Sequence, residues 1–174
     1  MDSEGLEARV YRRGYVFPAG IDEAGRGPLA GPVVAAAVVF PKCFCIDGLN
    51  DSKKLTVRKR ERLFDVIYHT AVSVGIGVVD PIEIDRINIL QASLLSMRIA
   101  VDNLYPPADY LLVDGVFPVN SSLPQQVLKH GDGRCGSIAA ASVVAKVTRD
   151  RIMEGYDREF PEFGFARHKG YGTQ

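Results

Sequence analysis

Four acidic side chains stand where the chain changes from one element to the next. Asp22 and Glu23 follow a short apolar stretch, Asp114 follows the apolar residues 110–113, and Asp132 stands in a loop before a long run of small residues. In α/β proteins, sites lie at the ends of strands. If the first strand and the later strand are neighbours, Asp22 and Asp114 meet at one edge of the sheet, and the helix that follows Asp132 can bring this third carboxylate beside them.

Carboxylates that lie this close repel one another unless a cation neutralises them. Oxygen ligands without histidine or thiolate suit Mg²⁺ or Mn²⁺. A pair of such ions, about 4 Å apart, activates water and stabilises the leaving oxygen in phosphodiester cleavage. A single Asp-Gly or Asp-Glu is more often a turn or a cap. It is the combination of all four acids that predicts metal-dependent hydrolysis of a phosphodiester.

The glycine-rich segment after the first acidic pair permits two interpretations. Gly25-x-Gly27-x-x-Ala30 formally fits a dinucleotide-binding fingerprint, which would predict an oxidoreductase. That fingerprint needs a helix to follow it, whereas Pro28 and residues 31–32 precede a β-branched run that is typical of a strand. The preceding acids would also repel the phosphates of a dinucleotide. The glycines are better suited to letting the backbone approach a nucleic acid, where a 2′-hydroxyl both donates and accepts a hydrogen bond.

The periodicity of the remaining chain predicts alternating strands and helices. Asp80-Pro81-x-Glu83 provides a cap, a first-turn proline and an acid three positions after the cap, ahead of apolar spacing that continues to Ile99. We expect an α/β fold with a mixed sheet whose first strands are antiparallel and whose later strands are joined through helices. The predicted strands are 18–22, 32–40, 71–79, 110–113 and 125–129, and the predicted helices begin after Thr56, after Asp80 and at Ser137, the last of them ending near Phe160.

Composition limits the domain organisation and the classes of partner. With 174 residues, 47% of them apolar, the chain predicts one globular domain over residues 1–174. Lys+Arg and Asp+Glu both number 21, so net charge gives no argument for a polyanionic partner, and any nucleic-acid surface must be local.

The longest apolar run, 33–40, is far shorter than the ~20 residues that span a bilayer. The three cysteines, without zinc-ligand spacing, indicate free thiols. We therefore expect a cytoplasmic protein with no membrane association.

Five motifs resemble those of the ribonuclease HII family, in that family's order. They are Gly20-Ile-Asp-Glu-Ala-Gly-Arg-Gly-Pro28, Asp51-Ser-Lys-Lys-Leu55, Val113-Asp-Gly115, the helical run 137–150 and His168-Lys-Gly-Tyr-Gly-Thr173. The resemblance implies a ribonuclease-H-like fold, a mixed central sheet flanked by helices. It also implies dependence on Mg²⁺ or Mn²⁺, with two ions when substrate is bound. The implied substrates are RNA–DNA hybrids and duplex DNA containing ribonucleotides, cut on the 5′ side of a ribonucleotide to leave 3′-hydroxyl and 5′-phosphate ends.

The same resemblance assigns roles to individual residues. It implies that Asp22, Glu23, Asp114 and Asp132 are the catalytic, metal-binding four, with Asp22 bridging the two ions. The glycine-rich segment would sense the 2′-hydroxyl of the ribonucleotide, and Tyr171 would pack on the sugar of the following deoxynucleotide. Asp150 lies about three and a half helical turns beyond Ser137, at ~3.6 residues per turn, so we expect it to point away from the site. The expected substrate-binding residues are Gly25, Arg26, Gly27, Lys53, Lys54, Ser137 and Tyr171.

Three departures from the family pattern leave an alternative open. His130 stands where the family usually has lysine, Cys135 stands where serine is frequent, and the sequence ends at Gln174, where relatives usually continue into a C-terminal helical segment. Clamp-binding peptides tend to occupy such tails, so we expect no sliding-clamp partner, no obligate protein partner and a monomer. The alternative to an active nuclease is a catalytically impaired nucleic-acid-binding module of the same fold.

Overall fold

The computed structural model describes residues 5–49 and 52–173, and within these ranges the framework is a five-stranded sheet. The strands lie in the order β3-β2-β1-β4-β5. β1 pairs antiparallel with β2, and β2 pairs antiparallel with β3, whereas β1–β4 and β4–β5 are parallel. This confirms the predicted mixed sheet with antiparallel first strands. The strands are β1 (Pro18–Ala24), β2 (Val33–Val39), β3 (Ser73–Val79), β4 (Tyr110–Asp114) and β5 (Gln125–Leu128).

Helices cover both faces of this sheet. The helices are α1 (Leu6–Arg12), α2 (Val57–Thr70), α3 (Pro81–Ile87), α4 (Ile89–Asp102), α5 (Gly136–Glu159) and α6 (Phe165–His168). Alternate residues of β2 point to opposite faces, because the side-chain period of a strand is two. Ala35 and Ala37 pack in one core with Met97 of α4, while Ala36 and Val38 pack in a second core with helices α2 and α5. β2 is therefore buried on both faces, which explains its continuous apolar sequence.

The prediction of one helix after Asp80 was correct for its start and wrong for its continuity. The Asp80 side chain accepts a hydrogen bond of 2.8 Å from the backbone N–H of Glu83, as a cap should. The helix ends at Asn88, whose φ of 70° lies in the left-handed region. The Asn88 side chain then accepts hydrogen bonds from the N–H groups of Leu90 and Gln91, which begins α4. The apolar spacing continues across this break and so concealed it.

The turn after β1 leads directly into β2, with no helix between them. The dinucleotide fingerprint needs a helix N-terminus at that point, so the oxidoreductase interpretation is wrong. Helix α5 instead begins at a distance in sequence and crosses β1 closely, because a Cβ added to Gly20 would collide with the backbone of Ser137 and Ile138. The first turn of α5 therefore lies against β1 two residues before Asp22. Among the described residues, no helix combines the length and the apolar character needed to cross a membrane.

Candidate active site

Asp22 and Asp114 end up side by side because β1 and β4 are parallel neighbours. The paired register runs to Ile21 opposite Val113, and the two acids are the next residues on their strands. Asp22 is only 6% exposed, and Asp114 is half-buried. The structure therefore brings these two predicted site residues to the same edge of the sheet.

Asp22 lies in surroundings that oppose its negative charge. Burial raises the pKa of its carboxyl group well above the usual value, and the charges of Glu23 and Asp114 raise this pKa further. Hydrogen bonds from Ser142 and from the backbone N–H of Glu23, the latter 2.8 Å long, oppose this rise because they favour the charged form. Ser142 also shares a hydrogen bond of 2.8 Å with the buried Ser52. An ionised Asp22 would thus be stabilised by a nearby cation.

Glu23 and Arg26 form the outer edge of this acidic cluster. The Arg26 guanidinium donates a hydrogen bond of 3.1 Å to the Glu23 carboxylate. The Arg26 side chain is 49% exposed and that of Glu23 is 11% exposed. Both residues line one cleft with Asp114 and Phe117, and α4 forms the opposite wall of this cleft. The arginine therefore leaves part of its surface free beside the carboxylates.

The turn that carries Asp132 is joined to this cluster by a backbone hydrogen bond. Asp132 lies in a short 3-10 turn, Gly131–Gly133, whose Gly131 N–H donates a hydrogen bond of 2.6 Å to Asp114. Asp132 itself lines a different cavity, with Phe44 and Cys45. In the part of the chain that the structure describes, no three His, Cys, Asp or Glu side chains lie close enough to hold one metal ion. The acids match a hard cation in chemical type, but they do not form a ready-made ligand set.

The expected recognition residues Gly25, Gly27 and Tyr171 lie in two segments that meet. Gly25 has a φ of 111°, a conformation that favours glycine and that turns the chain after β1. A Cβ added to Gly27 would lie 3.5 Å from the ring of Tyr171. The Tyr171 residue is half exposed. The glycine-rich turn and the aromatic ring thus share one surface.

The remaining expected substrate-binding residues lie in two other places. Lys53 is exposed within a 3-10 turn, residues 52–54, whereas the side chain of Lys54 and all of Asp51 fall outside the described residues. Ser137 is buried, and both its N–H and its hydroxyl donate to the Glu7 carboxylate, at 2.9 and 3.2 Å. The hydrogen bonds of Ser137 are therefore made within the protein, where Glu7 of α1 caps the start of α5.

Sequence reasoning assigned no role to Glu7, Ser142 or Arg149. Arg149 is 1% exposed, and its guanidinium donates to three backbone carbonyls. Ser142 and Arg149 are seven residues apart, a spacing that places them on one face of a helix. That spacing was the available signal. Glu7 had none, because its helix α1 was not predicted.

Asp150 forms ion pairs with Lys146 of its own helix and with Arg60 of α2. Its carboxylate accepts a hydrogen bond of 2.6 Å from Lys146 and lies 3.9 Å from the guanidinium of Arg60. These ion pairs balance its charge where α5 packs against α2. Its exclusion from the site stays a prediction.

Comparison with known proteins gives the same assignment over nearly the whole chain. The family model described as ribonuclease HII matches residues 19–174. The chain is 62% identical over 168 residues to the ribonuclease HII of Syntrophotalea carbinolica, covering 97% of this chain and 80% of that protein. It is 59% identical over 168 residues to the ribonuclease HII of Geobacter sulfurreducens, covering 97% and 77%.

Solved structures show the same fold. Ribonuclease H2 from Pyrococcus horikoshii superposes with a TM-score of 0.77 at 29% identity, covering 91% of this chain and 82% of that one. RNase HII from Archaeoglobus fulgidus, solved in complex with PCNA, has a TM-score of 0.70 at 29% identity, covering 91% and 83%. Bst-RNase HIII in complex with Mn²⁺, at 20% identity and a TM-score of 0.71 over 88% of this chain and 57% of that one, is a likeness in fold alone.

The Archaeoglobus complex concerns that protein, and the absence of a clamp partner for this chain stays a prediction. The family model and the two relatives agree with each other and with the motifs. This chain therefore belongs to the ribonuclease HII family of endoribonucleases, which hydrolyse the RNA strand of RNA–DNA hybrids.

Proposed function

We propose that this chain, besides hydrolysing RNA in hybrids, incises duplex DNA on the 5′ side of an embedded ribonucleotide and leaves 3′-hydroxyl and 5′-phosphate ends. The observation that carries the proposal is the parallel pairing of β1 with β4, which ends with Asp22 and Asp114 side by side. Its role would be to remove ribonucleotides from DNA. We expect it to act as a monomer without an obligate protein partner.

Asp22, Glu23, Asp114 and Asp132 would hold two Mg²⁺ or Mn²⁺ ions. The donor set supports this, because it consists of hard carboxylate oxygens, and because the charges of Glu23 and Asp114 add to burial in raising the pKa of Asp22. When bound, the ions would activate water and stabilise the leaving oxygen. Asp114 would have two roles. Besides binding metal, its carboxylate accepts a hydrogen bond from the Gly131 N–H and so holds the turn that contains Asp132.

The protein itself would select the cleavage position. The backbone of the glycine-rich turn would approach the ribonucleotide and read its 2′-hydroxyl, which donates and accepts hydrogen bonds. The half-exposed ring of Tyr171 would pack on the sugar of the next, deoxy nucleotide. Arg26, half exposed beside Glu23, and the exposed Lys53, together with Lys54, would contact phosphates, which fix the register of the duplex.

The test is cleavage of a labelled DNA duplex that carries one ribonucleotide, with and without Mg²⁺ or Mn²⁺. Wild type is compared with Asp114→Asn. The matched control is Asp109→Asn, because Asp109 lies at the opposite end of β4 and accepts hydrogen bonds from the N–H groups of Val16 and Phe17, at 2.6 and 2.9 Å. We expect metal-dependent incision just 5′ of the ribonucleotide in wild type and in Asp109→Asn, and none in Asp114→Asn.

Two results would contradict the proposal. Binding of the duplex without incision in either metal would favour the catalytically impaired binding module, for which the relevant observation is that Asp132 lines a different cavity from Glu23 and Asp114. Incision that survives in Asp114→Asn would remove Asp114 from the metal site.

A further inference from the structure

Arg149 is a buried charge that the proposed chemistry does not use. It lies on α5 and is 1% exposed. Its Nε donates to the carbonyl of Pro32 at 2.9 Å, its Nη2 to Ala30 at 3.0 Å and its Nη1 to Lys169 at 2.9 Å. Ala30 and Pro32 belong to the turn between β1 and β2, whereas Lys169 belongs to the segment after α6. One guanidinium therefore connects two segments that are far apart in sequence.

The same two segments are also joined to each other directly. The N–H groups of Leu29 and Ala30 both donate to the Gly170 carbonyl, at 2.9 and 3.3 Å. Gly170 has a φ of 85°, and an added Cβ there would collide with the Ala30 carbonyl. A Cβ on Gly25 would lie 2.6 Å from Arg149 Nε. Arg149 and Pro32 thus leave no room for a side chain at Gly25, and Ala30 leaves none at Gly170.

The two segments carry the two halves of the proposed recognition surface. Gly25, Arg26 and Gly27 belong to the first segment, and Tyr171 follows Gly170 on the second. Under the proposed function, these halves read two successive nucleotides, a ribonucleotide and the deoxynucleotide after it. Such a reading requires a fixed distance between the halves, since each half must meet its own sugar at the same time.

We propose that Arg149 is a positioning residue that holds the glycine-rich turn and Tyr171 as one unit, and that it thereby sets the preference for an RNA-to-DNA junction over continuous hybrid. This inference rests on the proposed function. Arg149 also shares its helix face with Ser142, whose side chain hydrogen-bonds Asp22. Helix α5 thus connects the recognition surface to the acidic cluster.

Arginine suits this task because its planar fork directs several donors at once, whereas lysine offers a compact charge on a flexible stem. Arg149→Lys keeps the positive charge but cannot reach both segments with the same geometry. The matched control is Arg151→Met on the same helix, since Arg151 pairs with Glu61 at 2.5 Å and lies over the ring of Phe64, away from the turn. Arg151→Met removes contacts between α5 and α2 and leaves the contacts of both recognition segments unchanged.

The experiment has two arms. Hydrogen exchange on the free protein follows the amides of Leu29 and Ala30, which should exchange about ten-fold faster or more in Arg149→Lys, while amides of β1 and β2 keep their protection. Steady-state cleavage compares a duplex carrying one ribonucleotide with a continuous RNA–DNA hybrid. The preference for the single ribonucleotide, as a ratio of kcat/KM values, should fall about ten-fold or more, mainly through a higher KM. Arg151→Met should change neither quantity.

The outcomes separate this inference from the proposed function. Unchanged exchange at Leu29 and Ala30, or an equal loss of kcat on both substrates, would overturn the positioning role. If wild type cleaves neither substrate, the proposed function fails. The ratio of Kd values for the two substrates then replaces the kinetic ratio. An unchanged Kd ratio in Arg149→Lys would count against the inference, and a reduced ratio would support it.

Discussion

The carboxylate of Asp114 accepts a hydrogen bond of 2.6 Å from the backbone N–H of Gly131, the residue immediately before Asp132. The strand that ends at one proposed metal ligand therefore holds the turn that carries another. Gly131 is buried, and an added Cβ there would lie 2.6 Å from the Ile138 side chain. The turn is thus fixed from two sides, by β4 and by the first turn of α5.

Replacing Asp114 should separate its structural role from its role in catalysis. Asp114→Ala leaves the buried Gly131 N–H without its acceptor and should lower the free energy of unfolding by about 1–3 kcal/mol. Asp114→Asn keeps an oxygen acceptor and removes a charge that opposes ionisation of Asp22, so its stability should stay within about 0.5 kcal/mol of wild type or rise. Both variants should lose cleavage. Urea unfolding in EDTA provides the measurement, and equal destabilisation of the two variants would show that this hydrogen bond does not hold the turn.

Asp22 should make the stability of the metal-free protein depend on pH. Burial first, and then the charges of Glu23 and Asp114, raise the pKa of Asp22 in the folded state. For a carboxyl group with a raised folded-state pKa, the contribution to stability is complete below the unfolded-state pKa, about 4, and is lost as pH rises through the folded-state pKa. Asparagine does not titrate, so the stability of Asp22→Asn does not fall with pH for this reason. Its stability relative to wild type should therefore increase as pH rises from about 4.

The measurement is Tm in EDTA at a series of pH values for wild type and Asp22→Asn. The two curves should converge at the acidic end and separate toward neutral pH, with the variant the more stable protein. Added Mg²⁺ should then raise the Tm of wild type more than that of the variant. An ion that binds the folded state raises Tm, and the variant lacks one of the proposed carboxylate ligands. Parallel curves over the whole range would mean that Asp22 is not held at a raised pKa.

The meeting of Asp22 and Asp114 could be predicted because both acids directly follow apolar runs, which are local features of a sequence, although β1 continues for two residues beyond Asp22. Other features had no local signal. The break at Asn88 depends on one backbone conformation, and the apolar spacing passes through it unchanged. The partners of Arg149 are backbone carbonyls, which no pattern of side chains reveals. The interaction of Glu7 with Ser137 joins residues 130 positions apart.

The three cysteines should fall into two classes of reactivity. Cys43 and Cys45 are exposed, whereas Cys135 is buried. Burial, and then the charge of Glu7, raise the pKa of the Cys135 thiol, which disfavours the reactive thiolate. Two thiols of the folded protein should react quickly with Ellman's reagent, and the third should appear only on unfolding. A Cys43→Ser, Cys45→Ser double variant should lack the fast phase, and its persistence would contradict the burial of Cys135.

Gly25 and Gly27 should respond differently to the same substitution, although they are two residues apart. Gly25 has a φ of 111°, and an added Cβ would lie 2.5 Å from the Pro32 carbonyl oxygen. Gly25→Ala should therefore destabilise the protein by about 1–3 kcal/mol. A Cβ on Gly27 would meet only the Tyr171 ring, at 3.5 Å, which is an ordinary contact. Gly27→Ala should leave stability unchanged or raise it by up to about 1 kcal/mol.

Gly27→Ala should lose activity although it keeps its stability. Its Cβ would stand on the surface where the proposed function has the backbone approach a 2′-hydroxyl, so kcat/KM on a single-ribonucleotide duplex should fall about ten-fold or more. Urea unfolding and cleavage assays on the same two preparations separate the effects. If urea unfolding shows that Gly27→Ala is as stable as wild type, its loss of activity is a loss of recognition. Cleavage by Gly27→Ala at the wild-type rate would show that the glycine-rich turn is not part of the recognition surface. Equal destabilisation of both variants would show that both glycines are required for the fold.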